Sequence, residues 1–318
     1  MYESHFGLQR NPFTMTPDPS FLFHTPAHRE ALASLLYGVL EEKGFIVVTG
    51  DAGTGKTTLL SRMLRMIPSS KATFSLLLNP TLSADEFLEA ALIDFGIDDI
   101  PASKIQRLLK LQQFLLAARH AGRVCVLVAD EAHKLSGEVL EEIRLLTNLE
   151  NADRKLLQII LAGQTELRAV LNAQELRQVK QRIAVQCELR PLSEDEVAQY
   201  IYFRWARAGA NGEPPFDEAA MRMIAGASRG IPRVVNAICD GALTLIYATG
   251  EPRVTVAHAF EVARDLDLRD LCLVAVDKKP SQEARIAPPV QQDAPRLKPP
   301  ARSQKPFGIR VRIKLRRG

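Results

Sequence analysis

Gly50-Asp51-Ala52-Gly53-Thr54-Gly55-Lys56-Thr57 (GDAGTGKT) decides the fold of this chain because of what stands on either side of it. Phe45 to Thr49 (FIVVT) is apolar and rich in β-branched residues, the make-up of a buried strand. From Lys56 onward, Leu60, Met63, Leu64 and Ile67 fall at helical spacing. Strand, glycine-rich turn and helix start in that order form a P-loop. Gly50, Gly53 and Gly55 let the backbone fold into a concave nest for phosphate oxygens, and the helix N-terminus adds partial positive charge. Lys56 is then expected to reach the β- and γ-phosphates, and the Thr57 hydroxyl to ligate Mg²⁺. Asp51, Ala52, Thr54 and Thr58 complete the run expected to bind nucleotide.

Outward from this stretch the pattern alternates. Ala27 to Glu41 reads as a helix, Ala72 to Leu78 as a second strand, and Ser83 to Phe95 and Ser103 to His120 as helices broken at Pro101. Arg123 to Ala129 is a third strand, Ser136 to Glu150 a helix, Leu156 to Ala162 a fourth strand and Ile183 to Leu189 a fifth. Strands alternating with helices predict a parallel α/β sheet flanked by helices. After Ser193 the pattern is helical only, with helices expected at Ser193 to Ala208, Asp217 to Ala227, Pro232 to Thr249 and Thr255 to Leu266. The expected domains are residues 1–43, an N-terminal arm and helix; 44–190, a P-loop α/β core; 191–270, a small all-α lid; and 271–318, a Pro-rich, basic, disordered tail. The arm, aromatic and turn-rich, is expected to lie extended on a domain surface.

Charge separates the tail from the rest. Residues 279–318 hold eleven Lys or Arg against Glu283 and Asp293, net +9, so the remainder carries −5 of the total +4. Near its end Ile309, Val311, Ile313 and Leu315 alternate with Arg310, Arg312, Lys314 and Arg316, giving an extended chain one apolar and one cationic face. Such a segment suits a polyanion, either an anionic membrane surface or DNA. Cys125, Cys187, Cys239 and Cys272 are widely spaced among apolar neighbours and read as reduced core thiols. With no apolar run near membrane-spanning length and no leader pattern at Met1 to Arg10, the chain is expected in the cytoplasm.

The third strand runs into Asp130-Glu131-Ala132-His133. An acidic pair at the end of an apolar strand, following a P-loop, supplies what hydrolysis lacks. Asp130 is expected to hold Mg²⁺, and Glu131 to orient and deprotonate the attacking water. The letters DEAH also mark a helicase class. Helicases of that kind need a second motor domain of comparable size, and after Leu189 only a small helical module follows.

Taken together, these residues resemble an AAA+ ATPase. Met1-Tyr2-Glu3-Ser4-His5-Phe6-Gly7-Leu8, Pro12-Phe13, Thr16-Pro17-Asp18-Pro19 and Gly44-Phe45-Ile46-Val47-Val48-Thr49-Gly50 are similar to the family of general secretion pathway protein A (ExeA), over about Met1 to Leu266. The resemblance implies ATP and Mg²⁺ as cofactors and a homo-oligomer, ring or helical filament. It implies further roles: Asn79 as a switch on the catalytic glutamate, Gln164 as a sensor of the γ-phosphate, Arg182 as the arginine finger offered to a neighbouring subunit, with Arg177 its competitor, and Arg233 as the lid's sensor arginine. Family members serve secretion, pilus assembly or polysaccharide export, so machinery components are implied partners, with the chain peripheral to the inner membrane. Similar ATPases regulate DNA transposition, which leaves a DNA-binding regulator as the alternative function.

Overall fold

The computed structural model describes residues 2–79, 81–150 and 154–268. The basic tail, its alternating segment and Cys272 lie outside them. Five strands form one parallel sheet: β1 (Phe45–Gly50), β2 (Ala72–Leu77), β3 (Val124–Ala129), β4 (Leu157–Gly163) and β5 (Ile183–Leu189), in the order β2-β3-β4-β1-β5. A parallel sheet must have both faces covered, and the period-two alternation of each strand supplies two apolar faces. Phe45 and Val47 join Leu127, Ile159 and Leu161 on one face, packed by α4 (Ala84–Asp94), α5 (Lys104–His120) and α6 (Gly137–Leu146). Ile46 and Val48 join Val128, Ile160 and Ala162 on the other, under α2 (Pro26–Leu40) and α3 (Lys56–Met66).

Local chemistry fixes the helix ends. Ser83 and Glu86 close a capping box on α4, and Thr25 caps α2 just before Pro26 at its first position. α6 stops four residues short of the Glu150 expected from periodicity, with the Thr147 hydroxyl donating to Arg144 O at its end. Beyond β4, α7 (Glu166–Asn172) and α8 (Arg177–Lys180) were not legible as helices, being short and interrupted. At the outer edge of the sheet, the Leu76 N–H of β2 donates to the Asp94 carboxylate at the end of α4.

The four expected C-terminal helices form as α9 (Glu194–Arg207), α10 (Glu218–Ser228), α11 (Pro232–Thr249) and α12 (Val256–Asp265). They enclose a core of their own, and the N-terminal residues belong to it rather than lying across a surface. Tyr2, from the short α1 (Tyr2–His5), together with Leu8 and Phe13 is buried among Val197, Ile201 and Ile224. Apolar anchors at that spacing drive the arm inward, and polar groups then fix it: Tyr2 Oη donates to Asp240 at 2.5 Å, Asn11 Nδ2 to the same carboxylate at 2.9 Å, and Gln9 N to Ala208 O at 2.8 Å. Cys125, Cys187 and Cys239 are free and buried, and burial pushes the Cys125 thiol up to about 11. No helix among the described residues is long and apolar enough to cross a membrane.

Phe13 is completely buried, so Phe13→Ala is expected to cost about 3–5 kcal/mol of unfolding free energy in urea melts. Leu109→Ala, at an exposed site on α5, is expected to stay within about 0.5 kcal/mol of the parent.

Candidate functional site

The C-terminal ends of β1, β3 and β4 meet at one edge of the sheet, where ligands bind in open α/β folds. The loop after β1 carries Gly50 to Gly55 into α3. A Cβ on Gly50 would stand 2.6 Å from Leu189 O. Gly53 has φ +80°, and a Cβ there would stand 2.7 Å from the Arg233 Cβ of α11. Only glycine fits either place, one for close backbone approach and one for a left-handed turn pressed against the lid. The loop is thereby shaped on both sides before any side chain is considered.

Lys56 is buried at the start of α3, where its ammonium donates to Gly50 O at 2.7 Å and Asp51 O at 2.9 Å. Burial pulls its pKa below the ordinary lysine value, opposed by the carboxylates of Glu131, Asp130 and Asp51. One residue on, Thr57 Oγ1 donates to Asp130 Oδ2 at 2.7 Å, which joins the P-loop helix after β1 to the end of β3 across the one intervening strand, β4. Asp130 Oδ1 accepts from the backbone N–H of Glu131, whose φ of +53° is left-handed and uncommon for a residue with a side chain. That turn sends Glu131 away from the strand axis to stand 3.2 Å from Lys134 Nζ and 3.8 Å from His133 Nε2. His133 Nδ1 in turn accepts from Gln164 N at 3.3 Å, tying the end of β4 to the acidic turn.

Arg233 and Gln164 line the same cleft of about 360 Å³ as Lys56, Thr57, Thr58 and Glu131. Asn79 and Arg182 do not. Asn79 Oδ1 accepts from the N–H and hydroxyl of Thr81, and Arg182 donates to Asn148 Oδ1 at 2.9 Å. Arg177 lines a separate depression with Lys180 and Leu171, away from the phosphate loop.

Several cleft residues had no local signature in the sequence. Thr14 to Asp18 and Phe21 to Phe23 form one wall, and Tyr200, Arg204 and Asn236 of the lid helices another part. His28 of α2 is buried behind the P-loop. Its Nε2 lies 3.2 Å from Thr54 O and its Nδ1 2.8 Å from Thr25 Oγ1. A carbonyl only accepts, so Nε2 carries the proton, and the Thr25 hydroxyl donates to Nδ1 while accepting from His28 N. The neutral ring thus satisfies both ends and braces the loop from below.

The residues fit a nucleotide with Mg²⁺. Thr57 and Asp130 offer two hard oxygens at hydrogen-bond distance, and Mg²⁺ is commonly held by one or two carboxylates with water and phosphate oxygens completing its shell.

This fold and loop define a P-loop protein of the AAA+ class, and comparison with known proteins agrees. A family profile described as an AAA domain matches residues 39–171. General secretion pathway protein A of Aeromonas hydrophila is 40% identical over 255 residues, 80% of this chain and 46% of that protein, so the chain spans about half its length. Among solved structures, Cdc6p of Pyrobaculum aerophilum is similar with TM-score 0.62 and 18% identity, covering 79% of this chain and 71% of that one. The ORC2 protein of Aeropyrum pernix gives 0.61 and 15%, over 81% and 71%, and the RuvB Holliday junction branch migration motor of Thermotoga maritima 0.51 and 20%, over 77% and 71%. These likenesses show the fold alone. The chain is an AAA+ protein related, over 80% of its length, to general secretion pathway protein A.

Burial lowers the pKa of His28 below 6.5, against the Thr54 carbonyl and the Glu196 charge, which favour the protonated ring. As pH falls below 6.5, the unfolded chain takes up a proton that the folded chain refuses, so stability present above that pH is lost. In urea melts between neutral and mildly acid pH, the parent is expected to lose up to about 1.4 kcal/mol per pH unit more than His28→Gln in that window.

Proposed function

We propose that this chain binds ATP with Mg²⁺ in the cleft and hydrolyses it between subunits of a homo-oligomer, driving assembly of a secretion, pilus or polysaccharide-export system. The observation that carries the reading is the 2.7 Å contact between Thr57 and Asp130, which brings P-loop hydroxyl and strand-end carboxylate to one point beside Lys56 and Glu131. Mg²⁺ bound there would neutralise phosphate charge. Lys56 holds the terminal phosphates, Gln164 senses them from the end of β4, and Arg233 covers them from the lid. Glu131 orients a water and takes its proton. Asn79 acts as a switch on Glu131, exchanging its contact with Thr81.

Arg182 lies outside its own cleft, which supports its acting on a neighbouring subunit's nucleotide. The secretion client rests on the name of a relative of which this chain spans 46%. The reading puts the chain in the cytoplasm at the inner membrane, with residues 279–318 meeting anionic lipid.

Lys56→Ala is expected to abolish binding of a fluorescent ATP analogue. Glu131→Gln should bind it and release phosphate at least about 100-fold more slowly. Parent-like turnover by Glu131→Gln would remove it as the base. Specific activity should rise with protein concentration, and mixing inactive Arg182→Ala with inactive Glu131→Gln should restore activity by pairing an intact finger with an intact base. Concentration-independent turnover without rescue would mean a self-contained monomer. Co-sedimentation with anionic liposomes should be lost on deleting 306–318; equal sedimentation by both forms would exclude the membrane contact.

A further inference from the structure

One wall of the cleft comes from neither the P-loop nor the lid. Thr14, Met15, Asp18 and Phe21 line it, on a stretch whose regular structure is the single turn Pro19–Phe21. Met15 is half exposed there, a large apolar side chain facing an otherwise polar cleft. An irregular wall keeps its shape only if its backbone is held in place.

One side chain provides much of that hold. Arg204 of α9 is 6% exposed. It donates from Nε to Pro12 O, from one terminal nitrogen to Thr14 O at 3.4 Å, and from the other to Tyr200 Oη at 2.8 Å. Its guanidinium carbon lies 4.4 Å from the centre of the Phe21 ring, and that of Arg10 lies 4.2 Å from the same ring. Among the described residues no carboxylate pairs with Arg204. Its charge is met by carbonyl dipoles, a phenol oxygen and an aromatic face.

The connection continues into the lid. Tyr200 Oη donates to Asn236 Oδ1 at 2.9 Å. Burial pushes the phenol pKa up, so it stays protonated and accepts from Arg204 while donating to Asn236. Asn236 stands on α11 three residues beyond Arg233, one helical turn from the arginine that presses on Gly53.

We propose that Arg204 is a positioning residue for nucleotide binding: one buried guanidinium locks the arm wall to the lid, so that the wall and Arg233 close on the nucleotide as one piece. The proposal rests on the cleft being a nucleotide site. Lys56 and Glu131 sit on other elements and keep their places without Arg204, so its loss weakens binding and leaves the chemical step alone. A flexible lysine keeps the charge and lacks the planar fork that reaches three acceptors at once.

The test is steady-state ATP hydrolysis by the full chain, with affinity for a fluorescent ATP analogue and thermal melts measured alongside. Arg204→Gln is expected to raise KM about tenfold with kcat within about twofold, the size expected for losing hydrogen bonds from a charged group. Arg204→Lys should be impaired to a similar degree. Tyr200→Phe, which removes only the hydroxyl between Arg204 and Asn236, should raise KM about threefold, and it carries the test if Arg204→Gln does not fold. Leu243→Ala truncates a buried residue of the same helical module outside the cleft lining, and should lower Tm without moving KM. Wild-type hydrolysis with unshifted KM in Arg204→Gln and Tyr200→Phe would overturn the proposal alone. So would a KM that rises in Leu243→Ala as it does in Arg204→Gln. A wild-type chain that binds no nucleotide would overturn the functional reading beneath it.

Discussion

Pairing of β1 between β4 and β5 is the constraint on which the site depends. β1 is buried along its full length and hydrogen-bonded on both sides in parallel, with Val48 beside Ala162 and Cys187. Parallel pairing sends every strand's C-terminal end to one edge, so the loop after β1, the acids after β3 and the residue after β4 cannot be far apart. The order of strands then decides who stands between whom. With β4 inserted between β1 and β3, Gln164 falls between the P-loop and Asp130, and His133 can reach its backbone. The hydrogen bond from Thr57 to Asp130 is a consequence of that order as much as of the two side chains.

The site's polar groups are buried on different terms. Lys56 is flanked by carboxylates that oppose the cost of its burial, and Asp130 is held by a hydroxyl and a backbone N–H. Arg204 has no such counter-charge and depends on carbonyls supplied by the N-terminal arm. Removing the arm would therefore leave the guanidinium with Tyr200 Oη in place of its three acceptors, a costlier change than the loss of a surface contact. Tyr2, Leu8 and Phe13 hold the arm in place by burial, so the apolar anchors and the charged clasp support one another.

Much of this was legible because it is local. The strand-loop-helix order around Gly50, the acidic pair closing β3 and the helix boundaries marked by Ser83, Ser193 and Pro232 are carried by neighbouring residues. The strand order is written in no single segment, and the left-handed Glu131 has no residue-type signal, since glutamate seldom adopts that conformation. Arg204 and Pro12 are 192 residues apart, and nothing in either neighbourhood announces the other. His28 was hidden for a similar reason: its partner Thr54 is 26 residues on, and a lone histidine on an apolar helix face looks like core. The arm's aromatic residues were visible, but not which surface would claim them.

The contact between Leu76 and Asp94 bears on how copies of this protein can meet. An outermost strand offers outward N–H and C=O groups that another chain can extend. Here the outward N–H at Leu76 is taken by a carboxylate from the protein's own α4, and the carbonyl of any incoming strand would meet negative charge where it needs a donor. That flank of the sheet resists being lengthened, even though Leu76 and Leu78 leave apolar surface beside it. Any stacking of copies would thereby be steered away from sheet continuation at β2 and toward helix and loop surfaces, a geometry in which copies could separate again without breaking a backbone ladder.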